Sequence, residues 1–127
     1  MYSLTELFIS MASGLLATTY GFSERFCGDV GAPVSCSHGA VTASGEKFAP
    51  DTVPSAAIAA PFRLKLEARW VRLKLVGPYP CYAIRVNDKM NPRFLGRRGF
   101  DLSKAAVRKL TSRPALRSWS NQVEVCK

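Results

Sequence analysis

The chain has 127 residues, enough for one domain with one core but too few for a nucleotide-binding domain and a separate substrate domain. A hydrophobic content of 47% excludes a disordered tail, and a mean hydropathy of +0.01 excludes an integral membrane protein. The net charge of +9 indicates an anionic partner, such as nucleic acid, a cell-wall polymer, an acidic protein or a membrane surface.

The N-terminal segment, residues 1–14, is predicted to form a short amphipathic helix. Ser3 and Glu6 have the spacing of a capping box, apolar residues recur at steps of three and four, and Gly14 lies near the expected end. Residues 7–23 carry no charge, but no Lys or Arg precedes them and polar residues interrupt them, so we expect neither a signal peptide nor a membrane span. Two roles stay open for this helix: covering the core, or docking on another subunit.

The rest of the chain, residues 15–127, is predicted to be one mainly β domain. Runs of alternating or β-prone residues between turn residues predict strands at residues 16–20, 63–67, 71–76, 81–86 and 121–126. One later helix is expected at residues 102–110, with Asp101 as its N-cap and Pro114 beyond its end. Several short strands around one or two short helices indicate a small β-barrel.

The four cysteines indicate disulfides rather than a metal site. No pair has C-x-x-C spacing, and His38 is the only histidine, so a zinc site is not expected. Two disulfides in a small basic chain indicate an oxidising location, and three pairings are possible. Cys27 and Cys36 flank a Gly- and Pro-containing loop, while Cys81 and Cys126 lie at the ends of two predicted strands. The alternative is four buried free thiols.

The positive charge is concentrated in residues 85–117. This stretch contains ten basic and two acidic residues, which is more one-sided than solubility alone requires. It therefore predicts a surface that faces an anionic partner, with a simple solvated face as the alternative. The sequence contains no aromatic–basic motif of a known nucleic-acid-binding module, so nucleic acid is the least favoured partner.

Four stretches in order resemble the rare lipoprotein A-like double-psi β-barrel family, whose relatives include expansin-type and barwin-like barrels. They are ATTYG at residues 17–21, TASGEKFAP at residues 42–50, IRVNDKMNPRF at residues 84–94 and GFDLSKAAVRKL at residues 99–110. Together they span most of the chain after the first helix. The resemblance implies a six-stranded double-psi β-barrel.

The resemblance also implies peptidoglycan as the ligand and no cofactor. Some members of the family are lytic transglycosylases, in which one carboxyl group protonates the leaving glycosidic oxygen and then takes the proton of the sugar's 6-hydroxyl group. By motif, Asp88 corresponds to this acid and base, and Glu46 to an assisting carboxylate. The implied ligand-binding residues are Tyr20, Asn87, Arg93, Arg97 and Arg98.

One departure from the family pattern weakens the enzymatic hypothesis. Ile58 occupies the position of the family's histidine, and a hydrocarbon side chain cannot relay a proton. Each retained carboxylate also has a structural alternative. Glu46 would bond amides of its own turn, and Asp88 would cap a turn or pair with an arginine.

Three classes of function follow from these observations. The chain is a glycan-cleaving enzyme, a barrel that binds cell-wall glycan without cleaving it, or a structural part of a virion such as a phage tail or capsid. We expect the last two to coexist in a virion protein that contacts peptidoglycan or another anionic wall polymer. Its first helix would dock on other virion subunits. The expected location is the virion, the cell exterior or the periplasm.

Overall fold

The computed structural model describes residues 15–21, 41–61, 63–90, 92–96 and 98–127, which form a closed, mixed, six-stranded β-barrel with one α-helix. The strands are β1 (Leu15–Thr19), β2 (Ser55–Ala59), β3 (Arg69–Leu75), β4 (Tyr82–Met90), β5 (Phe100–Leu102) and β6 (Asn121–Val125). The helix, α1, is Lys104–Thr111, and a single 3-10 turn follows β4 at Pro92–Phe94. The predicted helix at residues 1–14 lies outside the described residues, as do Cys27, Cys36, His38 and Arg97.

The barrel closes in the order β1-β5-β2-β4-β3-β6, with β6 returning to β1. The pairs β1–β5 and β2–β4 are parallel, and the other four pairs are antiparallel. Closure gives every one of these strands two neighbours, so the barrel has no open edge. The predicted mainly β architecture is confirmed at this level.

The main core fills the barrel and takes side chains from all six strands, among them Ala17, Ile58, Leu73, Val86, Phe100 and Val123. A second, smaller cluster lies on the other face of β2, where Ala57 and Ala59 pack with Tyr20, Phe48 and Met90. Every residue of β2 is therefore buried. A strand buried on both faces has a nearly continuous apolar sequence rather than an alternating one, so alternation does not predict β2.

Helix α1 begins two residues later than predicted. Its N-cap is Ser103, whose side chain accepts from the Ala106 N–H at 3.2 Å, so the assignment of Asp101 as the cap was wrong. Ser103 also donates to the Val53 carbonyl and accepts from the Ser55 N–H, which anchors the start of the helix to the barrel. Asp101 instead lies in β5, where it is buried.

Residues 63–67 do not form the predicted strand. The alternation there does reflect burial, because Leu66 is in the main core and Leu64 packs against it. The backbone instead follows an irregular path that starts with a turn, in which the Leu64 N–H bonds the Pro61 carbonyl. The alternation of apolar and polar residues thus indicates which side chains are buried, but a strand also needs a neighbouring strand to pair with.

A disulfide joins Cys81, just before β4, to Cys126, just after β6. The Cys126 N–H also bonds the Arg72 carbonyl on β3. The bridge therefore fastens the end of the chain to the barrel, as one of the suggested pairings predicted. Within the described residues, no helix combines the length and the apolar composition that crossing a bilayer requires.

Candidate functional site

A row of four side chains crosses the outer face of four adjacent strands. The strand register pairs Thr18 with Asp101, Asp101 with Ala57, and Ala57 with Asp88. Paired residues in a sheet place their side chains on the same face. Since neighbouring strands lie about 4.8 Å apart, the backbones of the two aspartates are roughly 10 Å apart, with the small Ala57 between them.

A β-bulge in β4 brings Asp88 into this row. Ala56 pairs with Val86, but the next residue, Ala57, pairs with Asp88, so Asn87 is the extra residue on β4. Before the bulge, Val86 points into the main core, whereas after it Met90 belongs to the outer cluster. One inserted residue moves the following side chains to the other face of a strand. The bulge therefore directs Asp88 outward, beneath Tyr20.

The carboxylate of Asp88 is buried, and three donors among the described residues bond it. Its Oδ1 accepts from the N–H groups of Ala43 at 3.1 Å and Lys89 at 2.9 Å, and its Oδ2 accepts from the Tyr20 hydroxyl at 3.3 Å. Only 2% of Asp88 is exposed. Each of these bonds uses Asp88 as an acceptor, so the group ties β1 and the loop at residues 41–47 to β4.

Tyr20 packs in the same cluster as Ala57 and bonds Asp88, so it covers this part of the row. Its ring stacks on Phe48 with the centroids 4.9 Å apart. Burial raises the pKa of Tyr20 well above its ordinary value, and the negative charges of Asp88 and Asp101 raise it further. The hydroxyl group therefore keeps its proton and acts as a donor to Asp88. On the other side of Ala57, Asp101 accepts from the Thr18 hydroxyl at 3.1 Å.

Residues 41–47 form a tight hairpin that docks on the bulge. Its strands meet in a bridge between Val41 and Lys47, and its turn contains Gly45 at a φ of +97°, a conformation that favours glycine. The Ser44 N–H bonds the Asn87 carbonyl at 3.0 Å, next to the bond from Ala43 to Asp88. Two consecutive residues of the hairpin thus bind two consecutive residues of the bulge.

Glu46, at the end of the hairpin turn, pairs with Arg85. The guanidinium contacts both carboxylate oxygens, with the shortest distance 2.8 Å from Nη2 to Oε2, and Asn87 Nδ2 donates to Oε1 at 3.3 Å. The hydrogen bonds from Arg85 hold the pKa of Glu46 below its usual value, although partial burial opposes this effect. Glu46 is therefore ionised at neutral pH and serves as an acceptor. The Arg85 guanidinium also lies over the Trp70 ring, 5.4 Å from its centroid.

Two of the three predicted ligand-binding arginines, Arg93 and Arg98, belong to the described residues and lie beside the aromatic cluster of Tyr20. Arg93 and Arg98 both place their guanidinium groups over the Phe94 ring, at 4.7 and 4.2 Å from its centroid. Phe94 in turn packs against the outer cluster that contains Tyr20 and Met90. One aromatic ring therefore brings two positive charges to the border of the Asp88 site.

Ile58, at the position of the family's histidine, points away from Asp88. It is fully buried in the main core inside the barrel, whereas Ala57 and Ala59 face the outer cluster. Any side chain at position 58 in this register would lie inside the barrel. No proton relay to Asp88 is available from this position.

The sequence does not predict two members of the site. Asp101 has the position of a helix cap, and Arg85 is one of ten basic residues in the stretch 85–117. Arg85 stands two residues before Asn87 on the same strand, a spacing that places side chains on one face, and this was the available signal. Within the described ranges, no group of three or more His, Cys, Asp or Glu side chains is placed to hold a metal ion.

The arrangement can hold a loop in place and present positive charge, but it offers no exposed proton donor among Asp88 and Glu46. A general acid in glycoside cleavage must bring its own proton within hydrogen-bonding distance of the substrate oxygen.

No family model matches the sequence, and a search of curated proteins returned no match.

Proposed function

We propose that this chain is a double-psi β-barrel protein of the rare lipoprotein A-like type, and that it is a structural virion component that binds bacterial peptidoglycan without cleaving it. The four ordered sequence motifs support the relationship, as does a closed barrel with two parallel pairs among antiparallel ones. The motifs fall on β1, the docked hairpin, β4 and the β5–α1 unit. These are the segments that build the Asp88 site.

The burial of Asp88 is the observation that carries the non-enzymatic part of the proposal. Asp88 is only 2% exposed, and its two oxygens accept hydrogen bonds from Tyr20, Ala43 and Lys89. The carboxylate therefore stabilises the fold by holding these segments together. Glu46, the other carboxylate of the motif, is held ionised by Arg85. Neither group is set up to donate a proton to a glycosidic oxygen, and Ile58 supplies no replacement.

The charge of the molecule supports the choice of an anionic wall polymer as partner. Arg93 and Arg98 project from one aromatic ring beside the site, in the part of the chain where basic residues outnumber acidic ones by ten to two. Guanidinium groups bind carboxylates and phosphates through paired hydrogen bonds. Peptidoglycan stem peptides and teichoic acids carry these groups. The Cys81–Cys126 disulfide supports an oxidising location, which a virion exterior provides.

A sedimentation assay with purified sacculi tests the proposal. We expect the protein to sediment with sacculi and to release no anhydro-muropeptides detectable by mass spectrometry. Bound protein should fall steeply with added salt, because the Debye length shrinks from about 30 Å at 0.01 M to about 8 Å at 0.15 M. Wild-type protein that stays in the supernatant at low salt would refute wall binding.

A matched pair of variants separates a specific basic face from net charge. Arg93→Gln/Arg98→Gln and Arg72→Gln/Lys127→Gln each remove two positive charges, but only the first pair lies on Phe94. We expect the first variant to lose binding and the second to keep most of it. Equal losses would show that overall charge, and not this face, attracts the polymer.

The lytic transglycosylase remains the second candidate, because Glu46 bonds Asn87 and the same hairpin bonds Asp88, as a shared site would require. Under that alternative, sacculi would yield anhydro-muropeptides, and Asp88→Asn would abolish them. Products that persist in Asp88→Asn would instead point to a contaminating enzyme.

A further inference from the structure

A groove on another part of the barrel has the features of a ligand site. It has a volume of about 680 Å³, within the range of small-molecule pockets, and lies between the turn that leads into β4 and the segment that follows α1. Three aromatic residues line it: Tyr79, Tyr82 and Trp119. Tyr82 begins β4 and Asp88 lies six residues further on, so about 20 Å of strand separates the groove from the Asp88 site.

Two of the three rings are held firmly in place. Tyr82 and Trp119 pack against the main core, and the backbone N–H of Trp119 bonds the Leu116 carbonyl at 2.9 Å, which fixes the chain from which the indole projects. Tyr79, by contrast, is half exposed at the rim. The flat, fixed rings can receive the apolar C–H face of a sugar ring at little entropic cost, because their positions are already set.

The walls of the groove carry polar donors and positive charge. Ser118 and Asn121 line it, and since Asn121 Oδ1 accepts from the Gln122 N–H, its amino group is the donor that a ligand hydroxyl would meet. Arg113 also lines the groove, and Lys109 lies over the Tyr82 ring, 5.7 Å from its centroid.

The sequence of both walls contains no acidic residue. Residues 68–87 and 102–123 have neither Asp nor Glu. Glu124, which follows the second wall, is paired with Lys74 at 3.2 Å. The groove is therefore complementary in charge to an anion, and in shape and polarity to a hydroxylated ring.

We propose that this groove binds a saccharide that bears a carboxylate, with the sugar rings on the aromatic side chains and the carboxylate on Arg113. The inference rests on the proposed peptidoglycan binding and locates the sugar-recognising part of it away from Asp88. In the wall glycan this chemistry is that of N-acetylmuramic acid whose lactyl carboxylate is not amide-linked to a stem peptide.

The two tryptophans allow a site-specific test. The chain has Trp70, which is exposed beside Arg85, and Trp119 in the groove, so a ¹⁵N-labelled sample gives two indole signals. Trp70→Phe identifies which signal is which. Titration with a four-sugar N-acetylglucosamine–N-acetylmuramic acid fragment should shift the Trp119 indole and leave that of Trp70 in place. The uncharged N-acetylglucosamine tetramer is the matched ligand, and should bind about tenfold more weakly.

Two rim variants test the assigned contacts. Tyr79→Ala removes an exposed ring, and Arg113→Gln removes an exposed guanidinium, so both should leave the fold intact. We expect each to weaken binding of the acidic fragment about tenfold, and Arg113→Gln to erase the preference over the neutral tetramer. An unmoved Trp119 indole, equal affinity for the two ligands, or tighter binding of a nucleoside monophosphate would overturn the inference.

Failure of this inference can be told apart from failure of the proposed function. Sedimentation with sacculi without any Trp119 shift would retain wall binding and reject the groove. A Trp119 shift with no sedimentation would retain the groove and reject binding to the intact wall. Absence of both would reject both.

Discussion

Replacing Asp88 by alanine should destabilise the barrel far more than replacing it by asparagine. Alanine leaves three donors without their acceptor: the N–H groups of Ala43 and Lys89, at 3.1 and 2.9 Å, and the Tyr20 hydroxyl at 3.3 Å. At about 1 kcal/mol for each lost hydrogen bond, the free energy of unfolding falls by about 3 kcal/mol. The asparagine oxygen can still accept from both N–H groups and its amino group can donate to Tyr20, so the loss should stay below about 1 kcal/mol.

Urea denaturation followed by tryptophan fluorescence measures this difference. With a slope of about 1.5 kcal/mol per molar urea, the midpoint should fall by about 2 M in Asp88→Ala and by about 0.5 M in Asp88→Asn. Asp51→Ala is the control, since Asp51 pairs with Lys104 at an exposed site, where removal of one partner costs less than about 1 kcal/mol. An alanine variant as stable as the wild type would refute the structural role. An asparagine variant as unstable as the alanine variant would show that the charge, rather than the hydrogen-bond geometry, is needed.

Three further predictions follow from single contacts. Cys81→Ser/Cys126→Ser should lower the free energy of unfolding by about 4 kcal/mol, because the bridge closes a separation of 45 residues, and urea curves with and without reductant check this. Wild type should exceed Glu46→Gln in stability by about 0.5 kcal/mol at neutral pH. This difference in stability is lost as the pH falls below about 4.5 and then below the lowered pKa of Glu46 in the folded state, because the carboxylate becomes protonated. Thermal melts of both proteins from pH 7 to pH 3 measure this loss. Ile58→His should cost about 3 kcal/mol in the same urea assay and create no glycan-cleaving activity, because position 58 faces the interior.

The part of the fold that the sequence predicts is the part with one buried and one exposed face. Strands β1, β3, β4 and β6 coincide with predicted strands because their apolar residues alternate or carry strong β preference. Strand β2 is buried on both faces and β5 has only three residues, so neither has a period to detect. The parallel pairing of β1 with β5 and of β2 with β4 depends on contacts between residues distant in the chain, which local sequence patterns do not predict.

The candidate site shows the same limit at the level of single residues. Asp101 precedes the helical pattern and is a favourable N-cap residue, but Ser103 is equally suitable and also reaches Val53, so tertiary contacts select it. The bulge at Asn87 cannot be predicted from the sequence either, because an Asn-Asp pair does not indicate an extra residue in a strand. Without the bulge, neither the burial of Asp88 nor its partners can be predicted.

The distance between the two sites determines how the proposals should be separated experimentally. Strand β4 runs from Tyr82 in the groove to the Asp88 site, and over about 20 Å it belongs to the same closed barrel, which fixes the two regions relative to each other. A short saccharide that stacks on Trp119 cannot also reach the bases on Phe94, since these lie beyond Asp88. A short ligand therefore reports on the groove alone, and an intact wall engages both regions. If both regions contact the same polymer, removing the bases on Phe94 should weaken binding to sacculi and leave binding of fragments unchanged, whereas a groove variant should weaken both, because sacculi alone use the second contact once they are held by the first.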